Sequence, residues 1–158
     1  VFGCTIQGEV KESEVLRLAV ASMQAGCDEV GLADTTGMAN PAQIRRVYKL
    51  VEKEIGHVAG LHIHNTRGLG LANVLAALDI GVRTFDASLA GLGGCPFAPG
   101  ASGNIVTEDL VYMLESMGFR TGVDLDKLLA VRNILSEGIP DEPLYGYVAA
   151  AGLNVAKH

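Results

Sequence analysis

The chain has 158 residues, 49% of them apolar, with no Trp and a net charge of −6. That length suits about one domain, with a core built from small aliphatic side chains. The acidic balance lacks any basic stretch that would bind nucleic acid, and no run of eighteen apolar residues is present to span a membrane.

Val1–Ile6 reads as a strand already under way, so the chain is expected to begin mid-fold; no signal-peptide pattern is seen there. Ser13 is placed to N-cap a helix carrying Val15, Leu16, Leu18, Ala19 and Met23, which Gly26 stops. Glu29–Ala33 is a short apolar strand ending at Asp34-Thr35-Thr36-Gly37. Asn40-Pro41 opens a second helix with the stripe Ile44, Val47, Tyr48 and Val51. A strand bearing His62 and His64 follows, then a helix from Leu69 to Ile80 closed by Gly81. Arg83–Ser88 reads as a fourth strand, followed by a glycine-rich segment from Gly91 to Asn104. Thr107-Glu108-Asp109 caps a helix from Leu110 to Met117, and a last helix runs from Asp124 to Ser136. Residues 137–158, with Pro140 and Pro143, are expected to form an irregular tail.

Strands alternating with helices at this spacing imply right-handed parallel βα units. Asp34, His64, Asn65, Asp86, Ser88 and Cys95 all follow strands, where open α/β sheets and (β/α)8 barrels place their chemistry. No Gly-x-Gly-x-x-Gly follows the first strand and no Walker loop is present, which favours a TIM-barrel type over a nucleotide-binding sheet. Four βα units make only half of a barrel of about 250 residues, and two open edges predict self-association.

His62 and His64, two apart on a strand, point the same way. Such a pair forms two corners of a metal site or simply a hydrogen-bonded strand end. Asp34 fits either an Asx-type turn or acid–base work, and Asn104 either a turn or a ligand. Cys4 and Cys27 read as reduced core thiols of a cytoplasmic protein. Cys95, between glycines and Pro96, is either a small buried side chain or an accessible thiol. Glu52, Glu54, Glu108 and Asp109 read as solvated helix faces and caps, Tyr112-Met113 as helix packing, and His57 and His158 as surface residues.

Leu61-His62-Ile63-His64-Asn65-Thr66, Gly91-Leu92-Gly93-Gly94-Cys95-Pro96-Phe97-Ala98, Gly100-Ala101-Ser102-Gly103-Asn104 and Thr107-Glu108-Asp109-Leu110-Val111-Tyr112-Met113-Leu114 together resemble the 3-hydroxy-3-methylglutaryl-CoA lyases. The resemblance runs from Val1 to about Leu135. It implies that residues 1–158 are the C-terminal half of a (β/α)8 barrel, strands five to eight with a C-terminal helix and tail. It implies Mg²⁺ or Mn²⁺ held by His62, His64 and Asn104, and an acyl-CoA substrate cleaved to acetyl-CoA and acetoacetate. Cys95 matches the family's thiol on a mobile lid, with Gly93 and Gly94 freeing the loop and lining the substrate. Asp34 matches a family Asp that orients a ligand or relays protons, and His62 is a further catalytic candidate. Asn65 and Arg67 are expected to contact substrate. The family's Arg-Asp-Gly motif has no match here, so the other half-barrel, or another copy of the chain, is the expected partner. Asn65 stands where the family commonly has Asp, and Cys4-Thr5-Ile6-Gln7-Gly8 replaces Cys-Pro-Tyr-Glu-Gly, which leaves the acyl group open. A Claisen-type synthase or aldolase of the same superfamily, and a non-catalytic half-barrel module, are the alternatives.

Overall fold

Three short parallel strands organise the protein, and the first two each lead into a helix that packs on the core. The computed structural model describes residues 1–94, 100 and 102–153. In chain order these form α1 (Glu12–Gln24), β1 (Leu32–Asp34), α2 (Pro41–Ile55), β2 (Leu61–Ile63), α3 (Gly70–Leu78) and β3 (Phe85–Asp86). A 3-10 turn at Leu89–Gly91, α4 (Thr107–Ser116), α5 (Leu125–Gly138) and α6 (Tyr147–Ala151) follow. The sheet order is β1-β2-β3, with both pairings parallel.

α2 shows how local sequence sets these elements. Asn40 stays extended, and its Oδ1 accepts from the N–H groups of Ala42 at 3.1 Å and Gln43 at 3.0 Å. Pro41 occupies the first helical position, where a missing N–H costs nothing. Ile44, Val47, Tyr48 and Val51 share one face, and all four are buried. Gly56 ends the helix at φ 84°, a left-handed conformation suited to glycine.

Register sorts the strand side chains onto two faces. Leu32, Leu61 and Phe85 form one row; Ala33, His62 and Asp86 form the next. The first row packs under the helices with Ile63, Ile44, Val51 and Val74. The second faces away from them, where His62 and Asp86 keep solvent access. Ile44 is completely buried, so Ile44→Ala is expected to cost about 3 kcal/mol in urea unfolding. A cost below about 1 kcal/mol would show that this layer is not the core.

Several expectations need correction. Val1–Ile6 is not a strand. The Val1 amine donates to the Ala33 carbonyl at 3.1 Å, but Cys4 and Gly8 then exchange two backbone hydrogen bonds and close a turn. Ser13 does not cap α1; the helix begins at Glu12, after Lys11. The Glu12 carboxylate pairs with Arg46 of α2 at 2.5 Å, in a first turn that starts two residues earlier than a Ser13 cap would set it. Cys27 is exposed and Cys4 partly so, and neither belongs to the core. Tyr112 is exposed rather than packed. The tail is not irregular throughout, because Tyr147–Ala151 is helical. Among the described residues no helix is long and apolar enough to cross a membrane.

Candidate active site

β2 delivers both histidines to one side, and their rings lie 5.0 Å apart between centroids. The two Nε2 atoms face each other at 3.1 Å. Two nitrogens about 2.1 Å from an octahedral centre, at right angles, would be about 3.0 Å apart, so both lone pairs can serve one ion. His62 Nδ1 approaches Asp86 Oδ2 at 3.4 Å, the arrangement by which a carboxylate orients a ligating imidazole.

Asn104 arrives from the far side of the glycine-rich segment. It forms an antiparallel bridge with His64, closed by Asn65 N–H to Gly103 O at 3.0 Å and Ile105 N–H to Ile63 O at 3.1 Å. Residues 64 and 104 are thus a non-hydrogen-bonded pair, the kind whose side chains come closest. The Asn104 Nδ2 donates to the Leu92 carbonyl at 2.8 Å. Its Oδ1 is buried without a protein partner, and so is His64 Nδ1. A buried carboxamide oxygen left unbonded beside two imidazoles is a donor set that fits a divalent cation. Among the described residues no group of three His, Cys, Asp or Glu side chains could hold a metal. The set is therefore two imidazoles and a carboxamide, all neutral.

Burial lowers the His64 pKa below its usual value, and the neighbouring His62 lowers it further, against the pull of Asp34. As pH falls through about 6.5, the unfolded chain takes up a proton that folded His64 refuses, so acid destabilises the fold through this group. Histidine resonances followed by NMR are expected to put the His64 midpoint below 6.5, and His62→Ala is expected to raise it. A midpoint at or above 6.5 would contradict the packing described.

Asp34 lies in the Ile63 row, on the helix side of the sheet, fully buried. Its two oxygens accept from Met38 N–H at 2.9 Å and Ala39 N–H at 3.1 Å, as in an Asx-type turn. Burial nevertheless raises its pKa. Asn65 Oδ1 accepts from Gly70 N–H at 2.9 Å and so ties down the start of α3. Arg67 donates to the carbonyls of Thr36 at 2.9 Å and Gly37 at 3.2 Å, joining the turns after β1 and β2. Gly93, at φ 101°, packs so closely on Asn104 that a Cβ there would sit 2.7 Å from Nδ2. Gly94 is exposed. Cys95 lies outside the described residues.

Glu108 and Asp109 are not solvated. Glu108 is fully buried, accepting from Ala90 N–H and pairing with Arg132. Asp109 accepts from the N–H groups of Tyr147 at 3.0 Å and Val148 at 2.8 Å. A cavity of about 450 Å³ beside Asn104 is lined by Asn65, Ser102, Asp109, Tyr145 and Tyr147 among others. Asp86 was legible as a strand-end acid. The sequence gives no hint that a helix 24 residues away supplies the cation for Glu108.

The HMGL-like family model matches residues 1–135. The chain belongs to the HMGL-like family. It is 47% identical over 138 residues to the hydroxymethylglutaryl-CoA lyase YngG of Bacillus subtilis, covering 87% of this chain and 46% of that protein. It is 45% identical over 152 residues to the (R)-citramalyl-CoA lyase of Chloroflexus aurantiacus, covering 96% of this chain and 48% of that one. A solved HMG-CoA lyase from Acinetobacter baumannii, in complex with coenzyme A and 3-methylmalate, superposes with a TM-score of 0.90 at 49% identity. That match covers 99% of this chain and 52% of the other. The chain thus spans about half the length of the relatives it matches, and its βα units form part of the HMGL-like TIM barrel.

Proposed function

We propose that this HMGL-like chain carries the cation-holding half of a carbon–carbon lyase site. Its substrate would be 3-hydroxy-3-methylglutaryl-CoA, cleaved to acetyl-CoA and acetoacetate. The observation that carries this reading is the meeting of His62, His64 and the unbonded Oδ1 of Asn104. Those three residues would hold Mg²⁺ or Mn²⁺. When bound, such a cation acidifies a substrate hydroxyl and orients the neighbouring oxygen.

The chain's own residues do the rest by position. Asp86 holds the His62 ring, and the Leu92 carbonyl turns the Asn104 amide so that its oxygen stays free. Asp34 acts by shaping the turn beside His64, since both its oxygens are engaged there. The cavity between Asn104 and the tyrosines of the C-terminal segment suits the acyl portion of the substrate. Asn65 lines it, Arg67 ties together the turns after β1 and β2, and Gly93 leaves room for the Asn104 amide. Cys95, on the strength of its motif, would return a proton to the thioester enolate that leaves. Free thiols at Cys4 and Cys27 suit a reducing, cytoplasmic setting.

A second substrate, citramalyl-CoA, is favoured by the 152-residue match to a lyase of that name. Both are tested together. The chain is assayed alone and with the N-terminal half-barrel of a relative, with Mn²⁺ or EDTA, for acetyl-CoA release from each thioester. Release only from the cation-loaded, complemented barrel is expected. A folded, complemented barrel that cleaves neither thioester would refute the assignment.

A further inference from the structure

The pair of buried Glu108 and half-buried Arg132 lies outside the donor set but is joined to it by hydrogen bonds through Ala90 and the backbone from Ala90 to Leu92. Ala90, in the 3-10 turn, has φ 54°, and among the described residues it alone combines a side chain with a positive φ. That conformation is disfavoured for a residue with a Cβ and must be held from outside. Both of its backbone groups are held. Its N–H donates to the Glu108 carboxylate at 3.1 Å, and its carbonyl accepts from Tyr145 N–H at 2.9 Å. Arg132 Nη1 closes the frame by donating to Glu108 Oε1 at 2.5 Å and to the Tyr145 carbonyl at 2.8 Å. Two residues past Ala90, the Leu92 carbonyl accepts from Ser88 Oγ at 2.5 Å and Asn104 Nδ2 at 2.8 Å. The same turn presses on the Asn104 segment, since a Cβ on Gly103 would fall 2.0 Å from the Gly91 oxygen.

We infer that Arg132 is a positioning residue for the cation site: by gripping Glu108 and the Tyr145 carbonyl it fixes the Ala90–Leu92 backbone, and through the Leu92 carbonyl the carboxamide of Asn104. α5 bears Arg132 on its half-buried face, in line with Leu125, Leu128, Leu129 and Leu135, so the packing of that helix aims the guanidinium at Glu108 and Tyr145. The inference rests on the proposed role of Asn104 as a ligand, and adds to it an orienting residue 68 positions after His64.

The test follows the Asn104 side-chain amide by NMR in the full chain, without metal, and then titrates Mn²⁺ into the complemented barrel. Arg132→Met, which keeps much of the volume, is expected to speed exchange of the Asn104 Nδ2 protons about tenfold and weaken Mn²⁺ binding by a similar factor. Arg132→Lys is expected to restore part of both, and backbone amides of β1–β3 to stay protected. Should Arg132→Met not fold, Glu108→Gln, which retains an acceptor for Ala90 but loses the charge, is expected to show the same direction with a smaller change. A folded variant with unchanged Asn104 exchange would overturn the inference. Faster exchange in a protein that binds no Mn²⁺, even with Arg132 intact, would uphold the positioning role while removing the metal reading.

Discussion

Replacing His64 by alanine in the complemented barrel is expected to abolish tight Mn²⁺ binding and cut thioester cleavage roughly a thousandfold. His64 is only 5% exposed and supplies one of three neutral donors, so its loss leaves one imidazole and one carboxamide. The same substitution is expected to cost the fold little. The Nδ1 of His64 is buried with no partner, and a polar atom in that state destabilises the native protein until something binds nearby. Activity and stability should therefore part company: a thermal midpoint within a few degrees of the parent, with catalysis gone. Parent-like turnover by the His64→Ala barrel would remove the basis of the lyase reading.

Gly103→Ala is expected to cost about 4 kcal/mol in chemical denaturation. Two costs coincide there. Its φ of 99° is a conformation that side chains rarely adopt, and the new Cβ would be 2.0 Å from the Gly91 carbonyl oxygen. Backbone cannot swing aside as a flexible side chain does, so the two loops must separate. Separation would also break the bond from Asn65 N–H to Gly103 O, which sets Asn104 opposite His64. Gly8→Ala is the control: φ is 77° and nothing lies within 4 Å, so only the conformational cost of about 1–2 kcal/mol remains. Equal losses at the two positions would show that the close approach at Gly103 is not tight.

The βα order was legible from the apolar stripes and, for α2, from the punctuation at Asn40-Pro41 and Gly56; α1, α3 and α4 have no side-chain N-cap. The facing of His62 and His64 followed from strand geometry alone, and the link to Asn104 followed from the family motifs. What the sequence could not carry was anything decided by contacts between distant segments. Asp34 looks like any strand-end acid, and only the register places it on the helix side. Glu108 and Asp109 look like ordinary first-turn acids of α4, favourable to the helix dipole and open to water. Their burial depends on Arg132 and on the backbone of residues 145–148 folding over them. The short stretch Val1–Ile6 misled because apolar content suggests a strand, whereas pairing is ended by the Cys4–Gly8 turn.

The grip of Tyr145 on Ala90, and of Asp109 on Tyr147 and Val148, has a bearing on how the protein matures. On the ribosome, the turn at Ala90 emerges well before the residues that brace it. Sheet and helices can assemble while that turn is still unset, and the geometry around Ala90 is completed only when residues 145–148 have been made. Nascent chains stalled before Tyr145 would then be folded at their centre yet lack the contacts that hold Ala90.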